Sequence, residues 1–119
     1  MNELIIILLP LLAQVESGSN PDAIGDNGKA VGIYQLHKCV VDDVNEIYSM
    51  EFKYSDRFKP QLAKVIAQLY LRYWGIQYEK KTGKKVTLEV LARCFNGGPK
   101  GYKKESTVKY WNKIKKVMK

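Results

Sequence analysis

The chain has 119 residues, 45% of them hydrophobic and 27% charged, enough for one domain with a real core and no need of metal or disulfide staples. That composition excludes a disordered, collagenous or low-complexity protein. The net charge of +8 is uneven: residues 1–99 hold 12 Lys and Arg against 11 Asp and Glu, whereas residues 100–119 hold 8 Lys against Glu105 alone.

In chain order, Leu4 to Ala13 form an almost wholly apolar stretch. It has the length of a signal-peptide core and falls well short of the roughly 20 residues of a membrane span. Asn2 and Glu3 stand where a signal would carry positive charge, so the stretch reads as a buried first helix, with Pro10 either kinking it or marking its true start. The run Val15, Glu16, Ser17, Gly18, Ser19, Asn20, Pro21 ends that helix at a turn and leaves one carboxylate at the edge of apolar surface. Desolvation and the partial negative charge of a helix C-terminus both push such a carboxyl toward a raised pKa. A Glu that keeps its proton near neutral pH can serve as a general acid.

Asp26, Asn27 and Gly28 between Ala23, Ile24 and Ala30, Val31 read as a tight β-hairpin. Helical spacing resumes from about Tyr34 and fades near Lys53 to Ser55, with Val40, Val41, Val44, Ile47 and Tyr48 on one face. Ser55 or Asp56 can cap the next helix, with Pro60 in its first turn; Leu62, Val65, Ile66, Leu69, Tyr70 and Tyr73 form its stripe, and Thr82 and Gly83 stop it. Thr87 caps a shorter helix with Leu88, Leu91, Ala92 and Phe95 on one side, broken at Asn96, Gly97, Gly98, Pro99. A last helix from Ser106 or Thr107 is expected to bury Thr107, Trp111, Ile114 and Met118 and to turn Lys109, Lys113 and Lys116 outward.

The fold class is therefore α+β, mostly α: a helical lobe and a small β-hairpin flanking a groove, in a single domain spanning 1–119. Glu16, the hairpin and the Asn96 to Gly101 loop are expected to converge on that groove. Two cysteines, Cys39 and Cys94, are too few for a secreted disulfide framework and are expected to be reduced. His37 and Cys39 lack a second ligand pair at suitable spacing, so neither metal nor cofactor is expected. The lysine-rich end suits a polyanion, although it carries no recognised nucleic-acid motif.

Glu16, Ser17, Gly18, then Asn20 to Ala23, then Gly28, Ala30, Gly32, Ile33, Tyr34, Gln35 resemble the signature of lytic transglycosylases and goose-type lysozymes in the lysozyme-like superfamily. Leu91 to Pro99 is similar to the second motif of those families. Invertebrate-type lysozymes are matched as closely, through Glu16 to Gly18, Asp26, Gly32 to Gln35, Ala92 to Gly101, Ser106, Thr107, Tyr110 and Trp111. The resemblance implies a lysozyme-like fold and a muramidase that cleaves the β-1,4 bond between N-acetylmuramic acid and N-acetylglucosamine in peptidoglycan.

It also implies Glu16 as general acid and Asp26 as a second carboxylate. Ser17, Gly32, Tyr34, Gln35, Phe95, Asn96 and Gly97 would contact substrate: Gln35 and Asn96 through their amides, Tyr34 by stacking on a sugar, Gly32 and Gly97 by allowing close approach. Without Asp26, a lone Glu could act as acid and then base, as in transglycosylases, and release a 1,6-anhydro sugar. Phe95 in place of the usual transglycosylase Tyr, and Gly25 in place of Ser, favour hydrolysis. The partners expected are peptidoglycan strands and anionic envelope polymers, the latter through the basic last helix, with the protein acting as a monomer and no nucleic acid bound. The scarcity of cysteine points to synthesis in a bacterial or phage-infected cytoplasm and action on the cell wall or periplasm. A non-catalytic module gripping a glycan or polyanion through its basic tail is the rival reading.

Overall fold

A computed structural model describes residues 1–118. Its elements are α1 (Asn2–Ser17), β1 (Ile24–Gly25), β2 (Ala30–Val31), α2 (Lys38–Tyr48), α3 (Pro60–Thr82), α4 (Leu88–Gly97) and α5 (Ser106–Val117), with 3₁₀ turns at Tyr54–Phe58 and Gly101–Lys103. The strands pair antiparallel, Ile24 opposite Val31 and Gly25 opposite Ala30, so the chain is mostly α with one small hairpin, as expected. It divides into two compact units, Ala13–Tyr70 and, as the other, Met1–Leu12 together with the chain from Leu71 onward.

In the second of these, α1 supplies Ile5, Leu8, Leu9 and Leu12, each at most 1% exposed, while Ile6 and Ile7 remain 61% and 54% exposed. The apolar run therefore buries one stripe at the i, i+3, i+4, i+7 spacing and leaves the opposite face in water. Pro10 lies inside the helix. It cannot donate to the carbonyl of Ile6, but Ile6 is on the exposed face of the helix. No helix among the described residues is long and apolar enough to cross a membrane.

α4 starts where Thr87 accepts a hydrogen bond from the Val90 N–H at 3.2 Å, the N-cap read from sequence. Its end differs from expectation: Asn96 and Gly97 are still helical, and the chain turns only at Gly98, whose φ is 84°. In α5 the buried residues are Thr107, Tyr110 and Ile114. Trp111 is half-buried and Met118 is 45% exposed, because Met118 falls beyond the last helical turn. Lys109, Lys113 and Lys116 face solvent as expected.

In the Ala13–Tyr70 unit, the helix expected from about Tyr34 begins only at Lys38. Gln35 takes a left-handed φ of 51°, and Leu36 exchanges backbone bonds with Val31 (3.0 and 3.2 Å), so the segment folds back on the hairpin instead of winding. α2 then buries Val41 and Val44. α3 starts at Pro60, a position that needs no N–H and welcomes the fixed φ of proline. Its stripe is shifted from the expected one: Ala63, Ile66, Ala67 and Tyr70 are buried, while Val65 is 38% exposed.

Asp56 caps the preceding 3₁₀ turn rather than α3. Its carboxylate accepts from the Lys53 N–H at 2.8 Å and from the Lys59 ammonium at 3.2 Å. The Lys53 backbone bond, followed by the Lys59 bond and charge, holds the Asp56 carboxyl below its ordinary pKa despite an opposing effect of burial. A depressed folded-state pKa contributes stability above the unfolded value of about 3.9 and loses it as pH falls through the folded value. Asp56→Asn is therefore expected to unfold at lower urea than the unmodified chain near neutral pH. The two midpoints should converge as the pH drops below about 4; an undiminished gap in acid would assign the effect to geometry instead of charge.

Candidate active site

Glu16 occupies the last turn of α1 and is half-buried. The helix is brought to a stop next to it by Gly18 and Ser19, both at left-handed φ (63° and 62°). Their N–H groups return to the carbonyls of Gln14 and Ala13 at 3.0 Å each. Ser17 ties this helix end to the hairpin segment: its hydroxyl donates to the Ile33 carbonyl at 2.7 Å and accepts from the Asn20 N–H at 3.0 Å. The carboxylate-bearing turn is thus anchored on both sides by backbone bonds, which fixes where its neighbour Glu16 can reach.

The hairpin loop carries Asp26 and Asn27 at φ 51° and 55°. Short polar side chains tolerate this left-handed conformation best. Asp26 is exposed, and its carboxylate lies 3.2 Å from Nε2 of His37. His37 stands at the N-cap of α2 without a side-chain cap bond, so the imidazole, weighed in the sequence as half of a metal site, is spent on Asp26.

The turn behind this loop is tied from within. Gln35 donates its amide N–H to the carbonyls of Ala23 (3.1 Å) and Gly32 (3.0 Å). Gly32, at φ 83°, packs its Cα against the Arg57 carbonyl so closely that a Cβ would collide with it. Tyr34 is 6% exposed, and burial pushes its phenol above the ordinary pKa. Its ring belongs to the core, which leaves little of it for the sugar stacking expected from sequence.

Arg57 holds the hairpin segment in place, and the sequence reading passed over it. Buried at 6% exposure, its guanidinium donates to the carbonyls of Tyr54 (2.8 Å), Leu36 (2.8 Å) and Lys29 (3.3 Å). Burial lowers its pKa from the usual arginine value. Nothing in the local pattern marks it, because its distant partners are backbone carbonyls that every residue owns.

Phe95, Asn96 and Gly97 lie in the other unit, Phe95 half-buried and Asn96 exposed in the last turn of α4. The motif around them is bound together by a polar clamp. Arg93 donates to Glu89 (2.7 Å), to the Thr107 hydroxyl (2.8 Å) and to the Lys104 carbonyl (2.8 Å). The Thr107 hydroxyl donates onward to the Gly101 carbonyl at 2.6 Å, and the Lys104 ammonium donates to the Gly97 carbonyl at 2.7 Å. Gly97 has no room for a Cβ, which would lie 2.5 Å from Thr107 Cγ2, and a Cβ on Gly101 would strike the Arg93 carbonyl. The close approach expected at Gly97 is thus an approach of the protein to itself. In this half of the chain, the Ala-Arg, Asn-Gly-Gly-Pro and Ser-Thr pieces of the motif are the parts of one folded junction.

Cys39 is exposed and Cys94 is buried, neither of them in a disulfide. Burial raises the pKa of the Cys94 thiol, against smaller opposing effects of the Tyr102 backbone and Arg93, so it behaves as a small apolar core residue.

A mostly helical chain with one small hairpin, and an acidic residue in the last turn of its first helix beside a serine bonded to Ile33, fits the lysozyme-like class. Residues 2–118 match the model of the Transglycosylase SLT domain, and the chain belongs to that family. A lysozyme of Meretrix lusoria is 41% identical over 51 residues, which is 43% of this chain and 42% of that protein. The chain thus spans well under half of that relative's length.

Proposed function

We propose that this protein is a glycosidase that cleaves peptidoglycan strands at the β-1,4 bond between N-acetylmuramic acid and N-acetylglucosamine, with Glu16 as the general acid. The observation that carries the reading is the placement of Glu16. It is half-buried in the final turn of α1, and its neighbour Ser17 is bonded to the hairpin segment at Ile33. Membership of the transglycosylase family over residues 2–118 and similarity to a lysozyme support the substrate class. Protonating the glycosidic oxygen lets the bond break through an oxocarbenium-like transition state.

Hydrolysis is the preferred outcome, with Asp26 as the second carboxylate. Its pairing with His37 at 3.2 Å gives the side chain a fixed neighbour on an otherwise exposed loop, which supports a positioned role over that of a plain turn residue. Beside Glu16 in the same unit, Gln35 serves this reaction by fixing the turn between Val31 and Leu36. The rival route, in which Glu16 acts alone and a 1,6-anhydro sugar leaves, is supported by the family itself.

Mass spectrometry of digested sacculi decides between the routes, since hydrolysis yields reducing ends and transglycosylation yields products lighter by one water. Asp26→Asn is expected to lower turnover by about a hundredfold or more while reducing-end products remain, as for loss of a positioned acid–base group. Turnover within a few-fold of the unmodified chain would return the mechanism to Glu16 alone.

The exposed Lys109, Lys113 and Lys116 of α5 are proposed to hold the enzyme, as a monomer, against anionic envelope polymers, an attraction that added salt weakens. Synthesis in a bacterial or phage-infected cytoplasm, followed by action on the wall or periplasm, is proposed from the cysteine content.

A further inference from the structure

A cleft of about 210 Å³, lined by none of the residues assigned above to the reaction, lies within the unit that contains the chain from Leu71 onward. Trp74 and Tyr78, one turn apart on α3, and Tyr102, in the 3₁₀ turn after α4, make its walls. All three are half-buried. Tyr78 and Tyr102 meet edge to face, with ring centroids 4.8 Å apart and planes at 87°, so each fixes the orientation of the other.

The polar groups around these rings are lysines and the Gln77 amide. Lys81 and Lys100 line the cleft, and the Lys103 ammonium sits 5.6 Å from the centroid of the Tyr102 ring. Among the described residues no Asp or Glu lines it; Glu79, on the same stretch of α3, is committed to the Val86 N–H at 2.9 Å. The Tyr102 hydroxyl is closed off from solvent and has no hydrogen-bond partner among the described residues. A buried phenol ordinarily has one.

Aromatic walls call for a ligand with an apolar ring face, and two lysines lining the same cleft call for a negatively charged group on it. The volume is below the roughly 300–1,000 Å³ of a pocket for a drug-sized ligand, so it suits one ring and not a chain. Tyr78 and Tyr102, at right angles, offer no parallel slot between them for a flat base, whereas a puckered ring can lay the C–H groups of one face on a single aromatic wall and keep oxygens at its edge.

We propose that this cleft binds a single sugar unit bearing a carboxylate. The ring packs against Trp74 and Tyr78, and its carboxylate reaches the Lys81 and Lys100 ammonium groups. This is a binding site that takes no part in bond cleavage, so it stands independently of the role given to Glu16.

The test uses the full chain and N-acetylmuramic acid as the probe, followed by NMR at the Trp74 indole, with N-acetylglucosamine and adenosine monophosphate as comparators. Saturable shifts at Trp74 are expected with N-acetylmuramic acid, and weaker ones with N-acetylglucosamine, which lacks the carboxylate. The double variant Lys81→Ala, Lys100→Ala changes two exposed residues and so keeps the fold. It should bind about tenfold or more weakly, the loss expected when a charge-assisted contact goes.

Four results would each overturn the proposal: no shift at Trp74, binding unchanged in the double lysine variant, equal binding of N-acetylglucosamine, or adenosine monophosphate binding at least as tightly. Cleavage of sacculi by the unmodified chain is measured separately, so failure of the cleft and failure of the glycosidase reading are distinguishable.

Discussion

Glu16→Gln is expected to cut cell-wall clearing by about a hundredfold to ten-thousandfold, the range that proton transfer by a positioned side chain contributes, while the variant folds as the unmodified chain does. The amide keeps the size of the carboxyl and most of its hydrogen-bonding capacity, so what is lost is the transferable proton. The end of α1 is held by backbone bonds from Gly18 and Ser19 and by the Ser17 hydroxyl, none of which involves the Glu16 side chain. Turbidity clearing of sacculi measures the activity, and circular dichroism with thermal melting measures the fold. Activity close to that of the unmodified chain in a folded variant would remove Glu16 from the mechanism.

Arg57→Ala is expected to have the largest effect on stability, a loss of about 2–4 kcal/mol. The side chain is buried at 6% exposure and donates to three carbonyls, those of Tyr54, Leu36 and Lys29. Truncation leaves those acceptors short of a donor; the bond to Leu36 is buried and the other two are part-buried, and a buried group left unpaired costs about 1–3 kcal/mol. The Leu36 carbonyl retains the Val31 N–H at 3.2 Å, which moderates the sum. Because the Arg57 carbonyl also packs on Gly32, the damage should centre on the segment from Lys29 to Leu36. Urea denaturation gives the total. Hydrogen exchange at the Val31 and Leu36 amides tests the location, and Arg57→Lys should recover only part of the loss, since an ammonium cannot reproduce the guanidinium fork. Wild-type stability in the Ala variant would show that the clamp is dispensable.

The signals legible in the sequence were those whose physics acts over a turn or less. Thr87 caps α4 by a bond to a residue three positions on, Pro60 opens α3, and the Asp26, Asn27, Gly28 run makes the hairpin loop, with φ of 51°, 55° and 88°. The readings that went astray lie where a distant partner overrode the local pattern. Helical spacing from Tyr34 lost to the pairing of Leu36 with Val31, and Asn96 and Gly97 stayed helical because the polar clamp from Arg93, Thr107 and Lys104 holds that end of α4.

The candidate site divides in the same way. Glu16 was visible because an acid at the end of an apolar helix is unusual in itself and the motif around it is specific. The partner of Asp26 was not, since His37 stands eleven positions away and nothing in its neighbours points toward the hairpin. Nor did the pattern reveal that Tyr34 is buried at 6% exposure, or that the Gln35 amide is committed to backbone carbonyls.

The amino-acid sequence by itself determined the mostly helical class, the position of the hairpin, the unusual carboxylate and the family, because capping, turn chemistry and apolar periodicity are written in neighbouring residues. Only the tertiary structure decided which side chains hold the hairpin, which motif residues are spent on the fold, and that three aromatic residues and two lysines share a cleft in one unit. Those outcomes depend on backbone carbonyls, ring faces and close approaches between segments far apart in the chain, and no local pattern encodes which of the many possible partners will meet.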